Sequence, residues 1–304
     1  MLQRNKFFSF FRLMRADKPI GTALLLWPTL SAFFILTNGD PNLFLIILFI
    51  LGTFFMRSAG CVINDYFDKD FDGKVDRTKE RPIVTGEISP KEALILFVLL
   101  VLSSASLLLW MNQFTFYIAL IGLGLASIYP LSKRFFSVPQ VFLGLAFAWG
   151  IIMVSAAELN EVNTISLLLF ISCFFWIIAY DTAYALCDKD DDLNLGINSS
   201  AIAFGSNVVI FFFLFHAIST LILIYVAFLL NFHLIFYFFA SVALTLAIYQ
   251  SFLIKDHQSE KCLKAFKNNN WLGLTIFIGS ITVSYTHLRA HETLRYLVCR
   301  LLLE

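Results

Sequence analysis

The 304-residue chain is short of charge: Asp, Glu, Lys and Arg make up 14% of it, and 22 basic against 21 acidic residues leave a net charge of +1. That balance creates no global field for nucleic acid, so no nucleic-acid partner is expected. Cysteine is scarce too. The five present, Cys61, Cys173, Cys187, Cys262 and Cys299, form no CxxC pair and have no His at ligand spacing. They read as packing residues, not as a zinc site or a disulfide framework. No cleavable signal peptide is expected either, because the first apolar run follows a basic segment and continues toward a full span.

What the chain has in excess is apolar surface. It is 59% hydrophobic, contains 35 Phe and has a mean hydropathy of +0.79, which is more than a soluble globule can bury. An integral membrane protein is expected. Runs approaching the roughly 20 residues needed to cross a bilayer occur near 20–37, 43–64, 92–112, 114–130, 138–157, 163–187, 207–230, 232–253 and 271–284. The expected fold is therefore all-α, a polytopic bundle of about nine transmembrane helices. Ahead of it, residues 1–18 are basic and aromatic, which suits a helix lying at the membrane surface before Pro19.

Basic residues are held on the cytoplasmic side of a membrane protein. Eighteen of the 22 fall in the N-terminal segment and in the loops after the second, fourth, sixth and eighth runs, and the alternate loops have none. Arg57 lies inside the second run, and only Arg289, Arg295 and Arg300 in the tail disagree. The expected location is a bacterial inner membrane, with the loops about 65–91 and 188–206 as cytoplasmic caps over a cavity.

Each of these loops opens on an acidic cluster. In Asn64-Asp65-Tyr66-Phe67-Asp68-Lys69-Asp70-Phe71-Asp72, residues Asn64, Asp68 and Asp72 are four apart and share one helical face, where like charges repel unless a cation lies among them. A second cluster, Asp188-Lys189-Asp190-Asp191-Asp192, repeats the spacing at Asp188 and Asp192, with Asp181 two turns earlier on nearly the same stripe. Mg2+ takes such oxygens, keeps several waters and usually shares a phosphate substrate. The pattern points to a metal-bridged diphosphate. The recurrence also suggests one domain, 1–282, built of two pseudo-equivalent halves, about 20–130 and 138–253.

Further charges bear on this site. Arg57 sits two turns deeper than Asn64 on the same helix face, and an arginine at that depth needs an anionic partner. That partner is either a structural carboxylate such as Asp181 or an acidic group of a substrate. Arg77 and Arg81 in the first cap loop, and Lys133 and Arg134 after Tyr129-Pro130, suit either plain topology or diphosphate binding. His216 and His233 have no acidic neighbours and read as structural.

These residues resemble the intramembrane prenyltransferases of the UbiA family, closest to the branch that acts on 4-hydroxybenzoate in ubiquinone biosynthesis. The first family motif, NDxxDxxxD, stands as Asn64-Asp65 with Asp68 and Asp72, and the second, DxxxD, as Asp188 to Asp192. The flanks ADKPIGTALLLWPT (16–29), FMRSAGCVINDYFD (55–68), RTKERPI (77–83), YPLSKRF (129–135) and GINSSAIAFG (196–205) look alike as well.

The resemblance implies a central cavity open laterally to lipid, in which Asn64, Asp68, Asp72, Asp188 and Asp192 hold two Mg2+ ions on a polyprenyl diphosphate. It makes Arg81, Lys133 and Arg134 further diphosphate contacts and Arg57 the holder of the benzoate carboxylate, with Asp181 a candidate proton acceptor. The implied reaction is Mg-dependent transfer of a polyprenyl group to the 3-position of 4-hydroxybenzoate. Asp70 departs from the family pattern by adding charge at the first site.

Competing readings are a related enzyme for another acceptor, such as a naphthoate, homogentisate or haem, and a divalent-cation transporter. A transporter needs its acidic groups near the bilayer midplane, not at one surface beside a basic rim. Residues 283–304, ending SYTHLRAHETLRYLVCRLLLE, break the charge rule and resemble translated adapter sequence, so this tail is expected to be non-native.

Overall fold

The computed structural model describes residues 6–73, 78–132, 135–196 and 198–301, with side chains at 71, 72, 129–131, 195 and 284–301 left aside. Among the described residues the fold is helical, without a strand: α1 (Lys6–Leu13), α2 (Ile20–Leu36), α3 (Leu43–Asp72), α4 (Pro90–Leu107), α5 (Gln113–Ser132), α6 (Gln140–Leu159), α7 (Thr164–Cys187), α8 (Lys189–Leu195), α9 (Ser200–Ala203), α10 (Val208–Leu229), α11 (Leu234–Ile254) and α12 (Ser259–Leu301).

Six helical segments are long and apolar enough to cross a membrane: Leu43–Asp70, Pro90–Trp110, Gln140–Leu159, Thr164–Cys187, Gly205–Leu229 and Leu234–Ile254. Ile20–Leu36 and Gln113–Ile128 are shorter apolar helices. At 1.5 Å per residue, α2 measures about 25 Å, just under the ~30 Å of a hydrocarbon core. The expectation of about nine spans is thus met by six of full length and two short ones among the described residues. The ninth expected run lies within α12, which does not meet the same test. Large apolar side chains such as Leu109, Ile210, Phe228 and Leu234 are exposed, as lipid-facing positions should be.

The chain divides into two compact units, one of Met1–Leu26 with Ile47–Asn112, the other of Trp27–Ile46 with Gln113–Glu304. The core of the first joins Leu13, Ala59, Val62, Ile83, Ile88, Ala93 and Leu100, so that α1, α3, α4 and the loop before α4 close on one apolar centre. The start of α4 is set locally: Ser89 caps it, accepting from the Glu92 N–H, the Glu92 carboxylate accepts in return from the Ser89 N–H, and Pro90 fills the first turn. Here α1 is fastened to that loop by polar links. Ser9 Oγ donates to Glu87 Oε2 at 2.6 Å, Arg12 Nη1 meets both Glu87 oxygens at 3.1 and 3.2 Å, Arg12 Nη2 donates to the Glu80 carbonyl at 2.6 Å, and Lys6 pairs with Glu92.

In the second unit, small residues on α7 (Ala179, Ala183) let α10 and α12 pack closely, with Val208, Phe212, Cys262 and Ala265 completing the core. Three consecutive asparagines of α12 each reach another helix. The Asn268 Oδ1 accepts from Gln250 Nε2 of α11 at 2.8 Å, and Asn270 Oδ1 from Trp27 Nε1 of α2 at 2.8 Å. Between them, Asn269 Oδ1 accepts from Trp176 Nε1 of α7 at 2.9 Å and lies 3.0 Å from His216 Nε2 of α10. His216 is buried in this network, in keeping with its structural reading. Cys61, Cys173 and Cys262 are free and buried, also as expected.

Candidate active site

Helix α3 runs unbroken through the first acidic cluster, so the four-residue spacing does place Asn64, Asp68 and Asp72 along one face. Asn64 is half-buried and Asp68 exposed; the Asp72 side chain lies outside the described residues. Asp65, one residue round the helix, is different in kind. It is 2% exposed, with both carboxylate oxygens 3.1 Å from Arg15 Nη2 and its Oδ1 3.0 Å from Arg81 Nη1. A carboxylate buried this deeply is stable as an anion only where cations compensate it, and two guanidinium groups do so here.

The second cluster is not one continuous helical stripe. Helix α7 ends at Cys187, Asp188 lies at the junction, and α8 begins at Lys189. The Asp192 N–H still donates to the Asp188 carbonyl at 2.8 Å, which keeps these two residues one turn apart, while Asp181 stays on α7, half-buried. Gly196, at φ +67, closes α8 in the left-handed conformation that favours glycine. Among the described residues, no three His, Cys, Asp or Glu side chains gather closely enough to hold a metal by themselves.

Arg57 lies on α3, half-buried, and among the described residues no carboxylate pairs with it. Its guanidinium packs onto Gly21 of α2. A Cβ at position 21 would stand 2.8 Å from Arg57 Nη2 and 3.0 Å from Nε, closer than real contacts allow. Glycine at 21 is thus what leaves room for the guanidinium. Of the other basic residues singled out from the sequence, Arg81 is held by Asp65, and Arg77, Lys133 and Arg134 lie outside the described residues.

Residues 25–281 match the model of the UbiA prenyltransferase family. The chain belongs to that family. Its similarity to known members is extensive. It is 47% identical over 270 residues to a 4-hydroxybenzoate octaprenyltransferase of Alcanivorax borkumensis, covering 89% of this chain and 93% of that one. It is also 47% identical over 281 residues to the protein of that name from Photobacterium profundum, covering 92% and 97%.

Solved structures share the fold at lower identity. The apo structure of a UbiA homolog from Aeropyrum pernix superposes with a TM-score of 0.73 at 21% identity, over 86% of this chain and 97% of that one. A UbiA homolog from Archaeoglobus fulgidus bound to GPP and Mg2+ gives 0.69 at 20% identity, over 90% and 100%. This family member is a multi-pass membrane protein.

Reading the sequence for charge at four-residue spacing found the acidic faces but missed three residues that shape the site. Gly21 carries no chemistry of its own. Asp65 is one of several aspartates in its cluster, and nothing in the spacing marks it as the buried one. Glu87, the anchor of α1, is one of several carboxylates in the first cap loop, and nothing along the chain marks it as the one that holds Ser9 and Arg12.

Proposed function

We propose that the protein transfers a polyprenyl group from polyprenyl diphosphate to the 3-position of 4-hydroxybenzoate, releasing diphosphate, as a step of ubiquinone biosynthesis. The observation that carries this reading is Arg57. A guanidinium two turns below an acidic helix end, half-buried, pocketed against Gly21 and paired with no carboxylate among the described residues, suits the carboxylate of a small aromatic acid. The curated name of the 47%-identical relatives supports the same acceptor.

The donor set of the acidic helix ends, one amide and several carboxylate oxygens, is the hard-oxygen set that suits Mg2+. In this reading Asn64, Asp68, Asp72, Asp188 and Asp192 hold two such ions; the identity of the metal as Mg2+ is supported by a relative of the same fold described as bound to GPP and Mg2+. Bound Mg2+ would neutralise the diphosphate and so favour its departure. The chain's own residues do the rest. Arg81, Arg77, Lys133 and Arg134 add positive charge where the leaving group accumulates negative charge, and Arg57 orients the acceptor ring.

The C1–O bond of the prenyl donor breaks and its electron pair leaves with diphosphate. Carbon 3 of the ring, electron-rich because it is ortho to the phenol, bonds to C1 and then loses its proton. Asp181, an acid within α7, is the proposed acceptor of that proton. The apolar bundle keeps water from the allylic cation. The acidic helix ends face the cytoplasm of a bacterial inner membrane, a placement supported by the distribution of basic residues.

The test is incubation of membranes carrying the full chain with 4-hydroxybenzoate, a polyprenyl diphosphate and Mg2+. A lipid-soluble 3-prenyl product that disappears with chelator and with Asp68→Ala is the expected result. No product from wild-type membranes would exclude the assignment.

A further inference from the structure

Helix α1 is apolar on two faces. One faces the protein interior: Leu13 is buried, and Phe10 and Met14 join it in one cluster with Ala59 and Val62 of α3 and Ala93 of α4. At about 100° per residue, Phe7, Phe8 and Phe11 fall on the other side of the helix. Phe7 is 76% exposed and Phe8 51%, the Phe8 ring stacked on that of Phe11 with centroids 6.4 Å apart.

We propose that this outer face is a lipid contact: Phe7 and Phe8 enter the boundary between headgroups and acyl chains of the bilayer. Through that contact α1 braces the first cap loop against the membrane. The inference goes beyond the catalytic reading above and does not rest on it.

The place where α1 begins identifies the occupant. Lys6 pairs with Glu92 in the first turn of α4. Glu92 stands three residues before Ile95, and Ile95, Leu99 and Leu102 make one face of α4, exposed at 61, 56 and 60%. Since α4 lies in a segment long and apolar enough to cross a membrane, that face meets lipid and Glu92 marks its end at the water boundary. The turn that carries Phe7 and Phe8 is held at the same boundary. A lysine there lays its stem along apolar surface and keeps its ammonium in water, here against Glu92. Aromatic rings on one side with Lys6 and Arg12 beside them are the pattern of a helix seated in the interface.

The link from α1 to the cap loop is polar and runs to both ends of the segment 80–89. Arg12 Nη2 donates to the carbonyl of Glu80, and Ser9 and Arg12 Nη1 donate to the carboxylate of Glu87, two residues before the Ser89 cap of α4. Between these points the loop is bonded to itself, the Thr85 N–H donating to the Arg81 carbonyl at 3.0 Å and the Ile88 N–H to the Pro82 carbonyl at 3.1 Å. A loop tied at both ends to one helix follows that helix, so what seats α1 also seats the loop.

The experiment places the photoreactive analogue benzoylphenylalanine at position 7 of the full chain and irradiates the membranes that carry it. The same analogue at Leu99, on the lipid-facing side of α4, is the positive control. Lipid adducts detected by mass at both positions are the expected result. A crosslink from position 7 to a second copy of the chain or to another protein would overturn the proposal, as would no adduct at 7 where 99 forms one.

The brace is tested by limited proteolysis in the same membranes. Phe7→Ser with Phe8→Ser should speed trypsin cleavage after Lys79 about tenfold, because cleavage follows the population of the opened loop. Phe7→Leu with Phe8→Leu, which keeps the face apolar, should be cleaved at the wild-type rate. Equal cleavage of the serine pair and wild type would show that lipid contact does not hold the loop. The photoreactive chain retains an aromatic side chain at position 7, so it decides the lipid contact even where the serine pair fails to accumulate.

Discussion

Gly21 and Arg57 come from different helices and occupy one space: the guanidinium lies where a side chain at position 21 would begin, 2.8 Å from the Cβ that glycine lacks. Replacing Gly21 by Ala should push Arg57 aside and raise KM for 4-hydroxybenzoate about tenfold, as expected from one displaced charge-assisted contact, with KM for the prenyl diphosphate little changed. Gly124→Ala is the control, because a Cβ on that exposed position of α5 meets nothing within 4 Å. Equal kinetics for Gly21→Ala and wild type would remove Arg57 from acceptor binding.

Asp68 and Asp192 stand on acidic helix ends at opposite ends of the sequence pattern. Asp68→Ala or Asp192→Ala should lower kcat by about a hundredfold or more if each holds a metal at the diphosphate, and the residual activity should need more Mg2+. Titrating Mg2+ against rate for both variants checks it. A normal metal requirement in either variant would take that residue out of the ligand set.

Asn269 accepts from Trp176 and lies beside His216, all within the buried part of the second unit. Asn269→Ala leaves both without their partner, and an unsatisfied buried group costs about 1–3 kcal/mol. A lowered melting temperature in detergent is expected, with KM values kept in whatever fraction stays folded. An unchanged melting temperature would show that the network contributes nothing.

Ser89 opens α4 through a reciprocal cap with Glu92. Losing such a cap costs about 1 kcal/mol, so Ser89→Ala should hasten proteolysis of the loop before α4 without altering the acceptor KM. Cleavage as slow as in wild type would mean that Pro90 and the packing of Ala93 hold the helix start unaided.

Hydropathy, charge placement and the four-residue spacing of Asn64, Asp68 and Asp72 were enough to establish an all-helical membrane protein, the order of its main helices and its resemblance to one family. All three are local properties: a stretch of about 20 apolar residues is committed to helix by the absence of backbone partners in lipid, whatever surrounds it.

Which charges answer one another was decided only in three dimensions. Asp65 and Asp68 are the same residue type in one cluster, yet one is buried against an arginine 50 residues earlier and the other is exposed. Likewise Asn268, Asn269 and Asn270 are identical in sequence but reach α11, α7 with α10, and α2. Each step along a helix turns a side chain by about 100°, so its partner depends on which neighbouring helix stands at that angle, and this is a property of packing that no spacing along the chain records.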